Sequence, residues 1–137
     1  MTKITVEVSD EQIEDLLCSA FEGASGYWAR CKEGKEPTEK CDYLFQWPLH
    51  GGSFIVVDIE EMLESDFDDD GVEKAKIGDK GVYEVTRESL TRGLEVMASL
   101  KKGEGGHHFR NMLQNDTDSE TGDVFLQCCI FGKVIYG

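Results

Sequence analysis

Tyr43-Leu44-Phe45-Gln46-Trp47-Pro48-Leu49-His50-Gly51-Gly52-Ser53-Phe54-Ile55-Val56-Val57-Asp58-Ile59 is the stretch on which the fold turns. Pro48 fixes its own φ, and the Gly51-Gly52 pair allows positive φ, so 48–52 reads as a turn. Ser53 to Ile59 is an apolar run of strand length, which is the pattern of a strand buried on both faces. Tyr43 to Trp47, rich in aromatics, reads as a second strand, and the two form an expected hairpin. A hairpin makes the sheet antiparallel, and the helical patterns on either side make the chain α+β.

Upstream, Lys3 to Val8 alternates apolar and polar residues and reads as a strand. The same alternation is not the pattern of a signal peptide. Ser9-x-x-Gln12 is a capping box, with Asp10 and Glu11 suited to the positive end of the helix dipole. Ile13, Leu16, Leu17, Ala20 and Phe21 then recur at spacings of three and four up to Gly23. Cys31 to Cys41 is lysine-rich and reads as an exposed loop.

Downstream, Glu60 to Asp79 reads as a long polar connection with at most a helical turn near Met62, and Gly81 to Val85 as a strand. Thr86 caps a helix whose stripe is Leu90, Leu94, Met97 and Leu100. His107 to Gln114 is a short helix. Asn115 to Ser119 is polar and turn-like, with Asp118 or Ser119 as a cap. Val124 to Phe131 is the last helix, closed by Gly132. Lys133 to Tyr136 is expected to end the chain as a strand edge. The order β-α-β-β-β-α-α-α describes a small antiparallel sheet with about three to four helices packed on one face. It forms a single globular domain over 1–137, with an acidic loop at about 60–80.

The chain has 137 residues and a formal charge of −14. That charge repels phosphate backbones, so direct nucleic-acid binding is not expected. No apolar run approaches the ~20 residues that span a bilayer, so no membrane partner is expected. The five cysteines, two of them adjacent, fit free thiols in a reducing cytoplasm better than a disulfide framework. Residues 41–73 hold ten acids and no lysine or arginine, whereas 74–110 is net positive. Asp58, Glu60, Glu61, Glu64, Asp66, Asp68, Asp69, Asp70 and Glu73 form the densest run. Such a block is either a solvated face or a surface that engages something basic.

Chemistry-bearing motifs are few. Asp66-x-Asp68-x-Asp70-Gly71 matches the opening of a calcium loop, but the twelfth position, where a bidentate Glu belongs, is Ile77. His107 and His108 are adjacent and therefore diverge, and no cysteine spacing matches a zinc site. Cys31 lies between Arg30 and Lys32, whose charges would lower its pKa. No phosphate-loop or dinucleotide fingerprint occurs. The expectation is a protein that is not an enzyme and carries no cofactor and no metal. Tyr27, Trp28, Arg30 and His107 or His108 are candidates for a ligand pocket, and the net-positive stretch would favour an anionic ligand.

Asp15-Leu16-Leu17-Cys18-Ser19-Ala20-Phe21-Glu22-Gly23 through Gly26-Tyr27-Trp28, Ser89-Leu90-Thr91-Arg92-Gly93-Leu94, and Asn115-Asp116 through Thr121-Gly122-Asp123-Val124-Phe125-Leu126-Gln127 to Phe131-Gly132 and Tyr136-Gly137 carry a resemblance. Together they resemble a group of small proteins encoded by tailed phages and prophages. The resemblance covers both ends and the helix after Thr86; the acidic stretch 60–80 has no counterpart in it, and it implies no catalytic residue. What it implies is a small acidic protein that binds and blocks a host protein. The expected partner is a defence protein with a basic nucleic-acid-binding surface, of the anti-CRISPR or anti-restriction kind, with the acidic stretch standing in for phosphates. The expected location is the host cytoplasm. The alternative is a protein that binds or sequesters a small molecule or nucleotide.

Overall fold

The computed structural model describes residues 5–61, 69–101, 103 and 105–137, with the side chains of 69 and 70 left aside. Its strands are β1 (Ala29–Glu33), β2 (Phe54–Asp58) and β3 (Val82–Val85). Its α-helices are α1 (Asp10–Ser19), α2 (Asp69–Lys74), α3 (Arg87–Ser99), α4 (His107–Leu113) and α5 (Ser119–Phe131). The strands form one antiparallel sheet in the order β1-β2-β3. This is the α+β class that the sequence patterns predict. Among the described residues, no helix is long and apolar enough to cross a membrane.

Pairing parity decides what each strand residue faces. Val56 lies opposite Cys31 and Tyr83, and Phe54 opposite Glu33 and Val85. Phe54, Val56 and Asp58 therefore share one face of β2. That face meets the helices: Phe54 packs edge-on against Phe21 at 5.0 Å, and Tyr83 against Phe131 at 5.4 Å.

Helix α5 runs through the centre of the molecule. Every residue from Thr121 to Cys129 is buried, because α1, α3 and α4 all pack around it. Two glycines allow the closest approaches. A side-chain carbon at Gly122 would sit 2.6 Å from Ser19 Cβ and 2.7 Å from the Leu16 carbonyl oxygen, so α1 can lie directly on α5 only over a glycine. Gly93 of α3 plays the same part against Cys129.

The local signals at the helix starts hold. Ser9 Oγ accepts from Gln12 N at 3.1 Å, and Gln12 Oε1 accepts from Ser9 N at 3.0 Å. Thr86 and Ser89 form the same reciprocal pair, and Asp118 Oδ1 accepts from Thr121 N at 2.8 Å. Helix α1 continues into a π-helical turn at Ala20–Ala24, which Gly23 ends at φ +120°. Gly132 closes α5 in the left-handed region.

Several expectations are corrected. Leu44–His50 is a 3₁₀ helix, not a strand, so the hairpin is absent and β2 pairs with β1 instead. Gln46 Oε1 accepts from Tyr43 N at 3.2 Å, a local bond that stabilises the helical turn over an extended chain. The start of the expected loop 31–41 consequently belongs to β1. Residues 5–8 have no ladder partner and Val6 is 48% exposed, so alternation alone does not make a strand there. Lys133–Tyr136 is irregular too, held by the Gln127 side chain instead of a ladder. Helix α5 also begins five residues earlier than the apolar pattern suggests. Part of the expected polar connection is helix α2, and the expected turn at Met62 lies outside the described residues.

Candidate functional site

Asp58 ends β2 facing inward, as its parity with Phe54 and Val56 requires. It is fully buried, and its Oδ2 accepts from the Tyr136 hydroxyl at 2.7 Å. Its Oδ1 accepts from Glu60 N at 3.1 Å, so the carboxylate also pins the adjoining turn. The structure thus corrects its assignment to the partner-facing acids: Asp58 is a structural group. Beyond it, Glu60 is exposed and Glu61 half-buried. Burial first, and then the charges of Glu61 and Asp58, push the Tyr83 hydroxyl above its ordinary range. Tyr136 is raised too, by burial and then by its bond to Asp58.

Glu64, Asp66 and Asp68 lie outside the described residues. Asp69 and Asp70 open α2, so the second half of the calcium-like motif has a helical backbone in place of a ligating loop. Glu73 is exposed. The helix is tethered where it ends: Lys32 Nζ donates to the carbonyls of Glu73 at 2.8 Å and Ala75 at 2.6 Å. A cation on the last carbonyls of a helix also complements its dipole. The side-chain carboxylates of Glu60, Glu61 and Glu73 form no ion pair among the described residues.

The ligand-pocket candidates separate into three places. Tyr27 and Trp28 converge on Asp123 of α5, a buried carboxylate. Asp123 Oδ1 accepts from Ser25 Oγ at 2.7 Å and Trp28 Nε1 at 2.8 Å. Its Oδ2 accepts from the Tyr27 hydroxyl at 2.6 Å and Gln127 Nε2 at 3.1 Å. Four donors replace the water that burial removes, which is what a buried carboxylate requires. Trp28 is fully buried and packs on Phe131 and Tyr136, so it is core and not a pocket wall. One turn further along α5, Gln127 Oε1 accepts from the backbone N–H groups of Ile135 and Tyr136, both at 2.9 Å. This amide fastens the last segment of the chain to the core.

Sequence reasoning missed Asp123 and Gln127. Their signal is present nonetheless: two polar residues four apart in an otherwise apolar helix share one face. Starting the helix at Val124 hid it.

His107 and His108 occupy a second place, beside a half-open cavity of about 650 Å³. It lies between α4, the start of α5 and the last segment of the chain, with Leu100, Val124 and Lys133 on its walls. His108 is 1% exposed; its Nδ1 shares a 2.7 Å hydrogen bond with Thr121 Oγ1, and its Nε2 lies 3.8 Å from Glu120 Oε1. Burial, then the neighbouring His107, lowers the pKa of His108, so its ring is neutral at neutral pH. His107 is exposed, with its ring centroid 3.9 Å from that of His108.

Arg30 sits elsewhere, on the rim of a smaller hollow of about 370 Å³ formed with the π-helical turn. It donates to the carbonyl oxygen of Ala29 at 3.0 Å. Cys31, next to it, turns to the opposite face of β1 with Val56. Burial pushes its thiol up to about 12, outweighing the charge of Arg30. The expectation of a lowered pKa at Cys31 is corrected accordingly.

No protein-family model, curated protein or solved structure matches this chain.

Proposed function

We propose that this chain is an acidic protein of phage or prophage type that binds and inhibits a host nucleic-acid-binding defence protein. In this reading the carboxylates from Glu60 to Glu73 take the place of a row of phosphates. A single observation carries it: the side-chain carboxylates of Glu60, Glu61 and Glu73 form no ion pair among the described residues, on a molecule of formal charge −14. Uncompensated carboxylates at the surface attract a basic channel and release its counterions as a duplex does. The tether of α2 to Lys32 supports the same reading, since it holds that part of the row against β1. Pre-organised charge binds with less ordering cost than a free loop.

The test is inhibition in cells. The chain is expressed in bacteria that carry a restriction or CRISPR system, and phage plating is counted. Wild type is expected to restore plating against one such system. Replacing Asp66, Asp68, Asp69 and Asp70 with Asn is expected to abolish the effect with the melting temperature kept. Undiminished protection by that variant ends the mimicry reading.

A further inference from the structure

β1 is an edge of the sheet, and the ladder fixes which of its backbone groups remain free. Ile59 N donates to the Trp28 carbonyl oxygen at 2.8 Å, and Gly34 N to that of Ser53 at 3.2 Å, at the two ends of the β1–β2 pairing. Bonded residues alternate in an antiparallel ladder, so Arg30 and Lys32 turn their N–H and C=O groups to β2. Ala29, Cys31 and Glu33 turn theirs away from it. Ala29 is occupied locally: its N–H donates to the Ser25 carbonyl oxygen at 2.9 Å, and its own carbonyl accepts from Arg30 Nη1. The backbone groups of Cys31 and Glu33 have no partner among the described residues. Free N–H and C=O groups on alternate residues of an edge are the template on which another strand pairs.

The hollow of about 370 Å³ adjoins this edge. Ala29 and Cys31 line it from the strand, and Ala20, Phe21, Leu44 and Leu126 supply apolar walls. Phe45 lies edge-on to Phe21 at 5.8 Å, and Tyr43, 60% exposed, stacks on Phe45 at 5.4 Å. An aromatic row thus runs from the hollow to the surface. Free backbone and apolar hollow together specify an extended peptide with an apolar side chain. Charge specifies its flanks. Glu22, Glu33 and Asp42 are exposed and form no ion pair among the described residues, whereas the Arg30 guanidinium is taken up by the carbonyls of Gly26 and Ala29. On a chain of formal charge −14, such a rim favours a basic segment. A second copy fits poorly: it brings the same charge, and antiparallel pairing centred on Cys31 sets Arg30 opposite Lys32. We propose that β1 accepts an extended, basic segment of a partner protein as a fourth strand, with an apolar side chain of that segment seated in the hollow. This surface is built from other residues than the acidic row and does not depend on it.

Calorimetric titration of the whole chain with synthetic peptides tests this. The probes are four capped eight-residue peptides of alternating valine and threonine with a lysine at each end. They differ only at one central position, which is valine, leucine, isoleucine or phenylalanine. At least one is expected to bind saturably at up to millimolar concentration and to slow amide hydrogen exchange at Cys31 and Glu33. Methylating alternate backbone nitrogens of that peptide is expected to weaken it at least about tenfold in one frame and little in the other, since only alternate amides face the edge. Glutamates in place of the lysines are expected to weaken it by about as much. Glu33→Pro removes an outward N–H and no ladder bond, and is expected to bind more weakly than Glu33→Gln, which removes only the charge. The methylated peptides decide the matter should the proline variant unfold. Absence of saturable binding by all four peptides to the folded wild type overturns the proposal. Equal binding in both methylated frames, or protection that arises elsewhere than at Cys31 and Glu33, overturns it too. A dimer in light scattering whose Cys31 and Glu33 amides are already protected does the same, by giving the edge to a second copy.

Discussion

Asp123 illustrates how much rests on single buried polar groups in this molecule. Replacing it with Ala strands the donors of Ser25 and Trp28 in the interior and removes the partner of the half-exposed Tyr27 hydroxyl. Each orphaned buried donor costs about 1–3 kcal/mol. Asp123→Ala is thus expected to lose at least ~3 kcal/mol in urea denaturation, and Asp123→Asn, which keeps one acceptor, to lose less. A loss below ~1 kcal/mol for the alanine variant would contradict the assignment. Titrating side chains add a pH dependence at both ends. His108 has a lowered pKa, so below its ordinary value of 6.5 the unfolded chain takes up a proton that the folded chain refuses. Stability is expected to fall as the pH drops from 6.5. At the alkaline end, burial pushes Cys31 up to about 12 and Cys128 up to about 11, against an ordinary 9.0. Above pH 9 the unfolded chain loses protons that the folded chain retains, and stability is expected to fall again. Melting temperatures from pH 5 to 10.5 check both limbs; a profile rising at either end would contradict the burial of these groups.

At the scale of elements, the starts of α1 and α3 were legible because their signals are local: Ser9 with Gln12 and Thr86 with Ser89 each act within one turn. The start of α5 was not, since Asp118 was one of two candidate caps and the apolar pattern begins five residues after the helix does. β2 and β3 were legible as apolar runs. Tyr43–Trp47 was not, since its aromatics suit a strand and a 3₁₀ turn alike. The partner of β2, at Ala29–Glu33, is separated from it by 20 residues and is a non-local choice. Polar residues 119–123 belong to α5 because tertiary contacts bury most of them, which an apolar pattern does not capture. The last segment is docked by Gln127 and by Tyr136 on Asp58, not by a ladder. Deleting Val134 to Gly137 removes those bonds and the Tyr136 ring from Trp28. The truncated chain is expected to melt several degrees lower, a shift that a loss of ~1–2 kcal/mol produces; an unchanged melting temperature would contradict the docking. Gly122→Val, which forces α1 away from α5, is expected to prevent folding as read by circular dichroism.

Across the whole molecule, charge is segregated from structure. The core and its polar hub require only a few of the acids, Asp58, Asp118 and Asp123 among them. The block of acids at 58–73 was legible in composition, but the inward turn of Asp58 was not, because it depends on strand parity and on Tyr136. The most direct test of the central claim is a pull-down from nuclease-treated bacterial lysate. Wild type is run beside a variant with Glu60, Glu61 and Glu73 changed to Gln and Asp66, Asp68, Asp69 and Asp70 to Asn. One stoichiometric nucleic-acid-binding protein is expected to be retained by wild type, released by high salt or competing duplex DNA, and absent from the variant. A captured partner that survives both competitors, or that the variant retains equally, would contradict it, as would the absence of any nucleic-acid-binding protein.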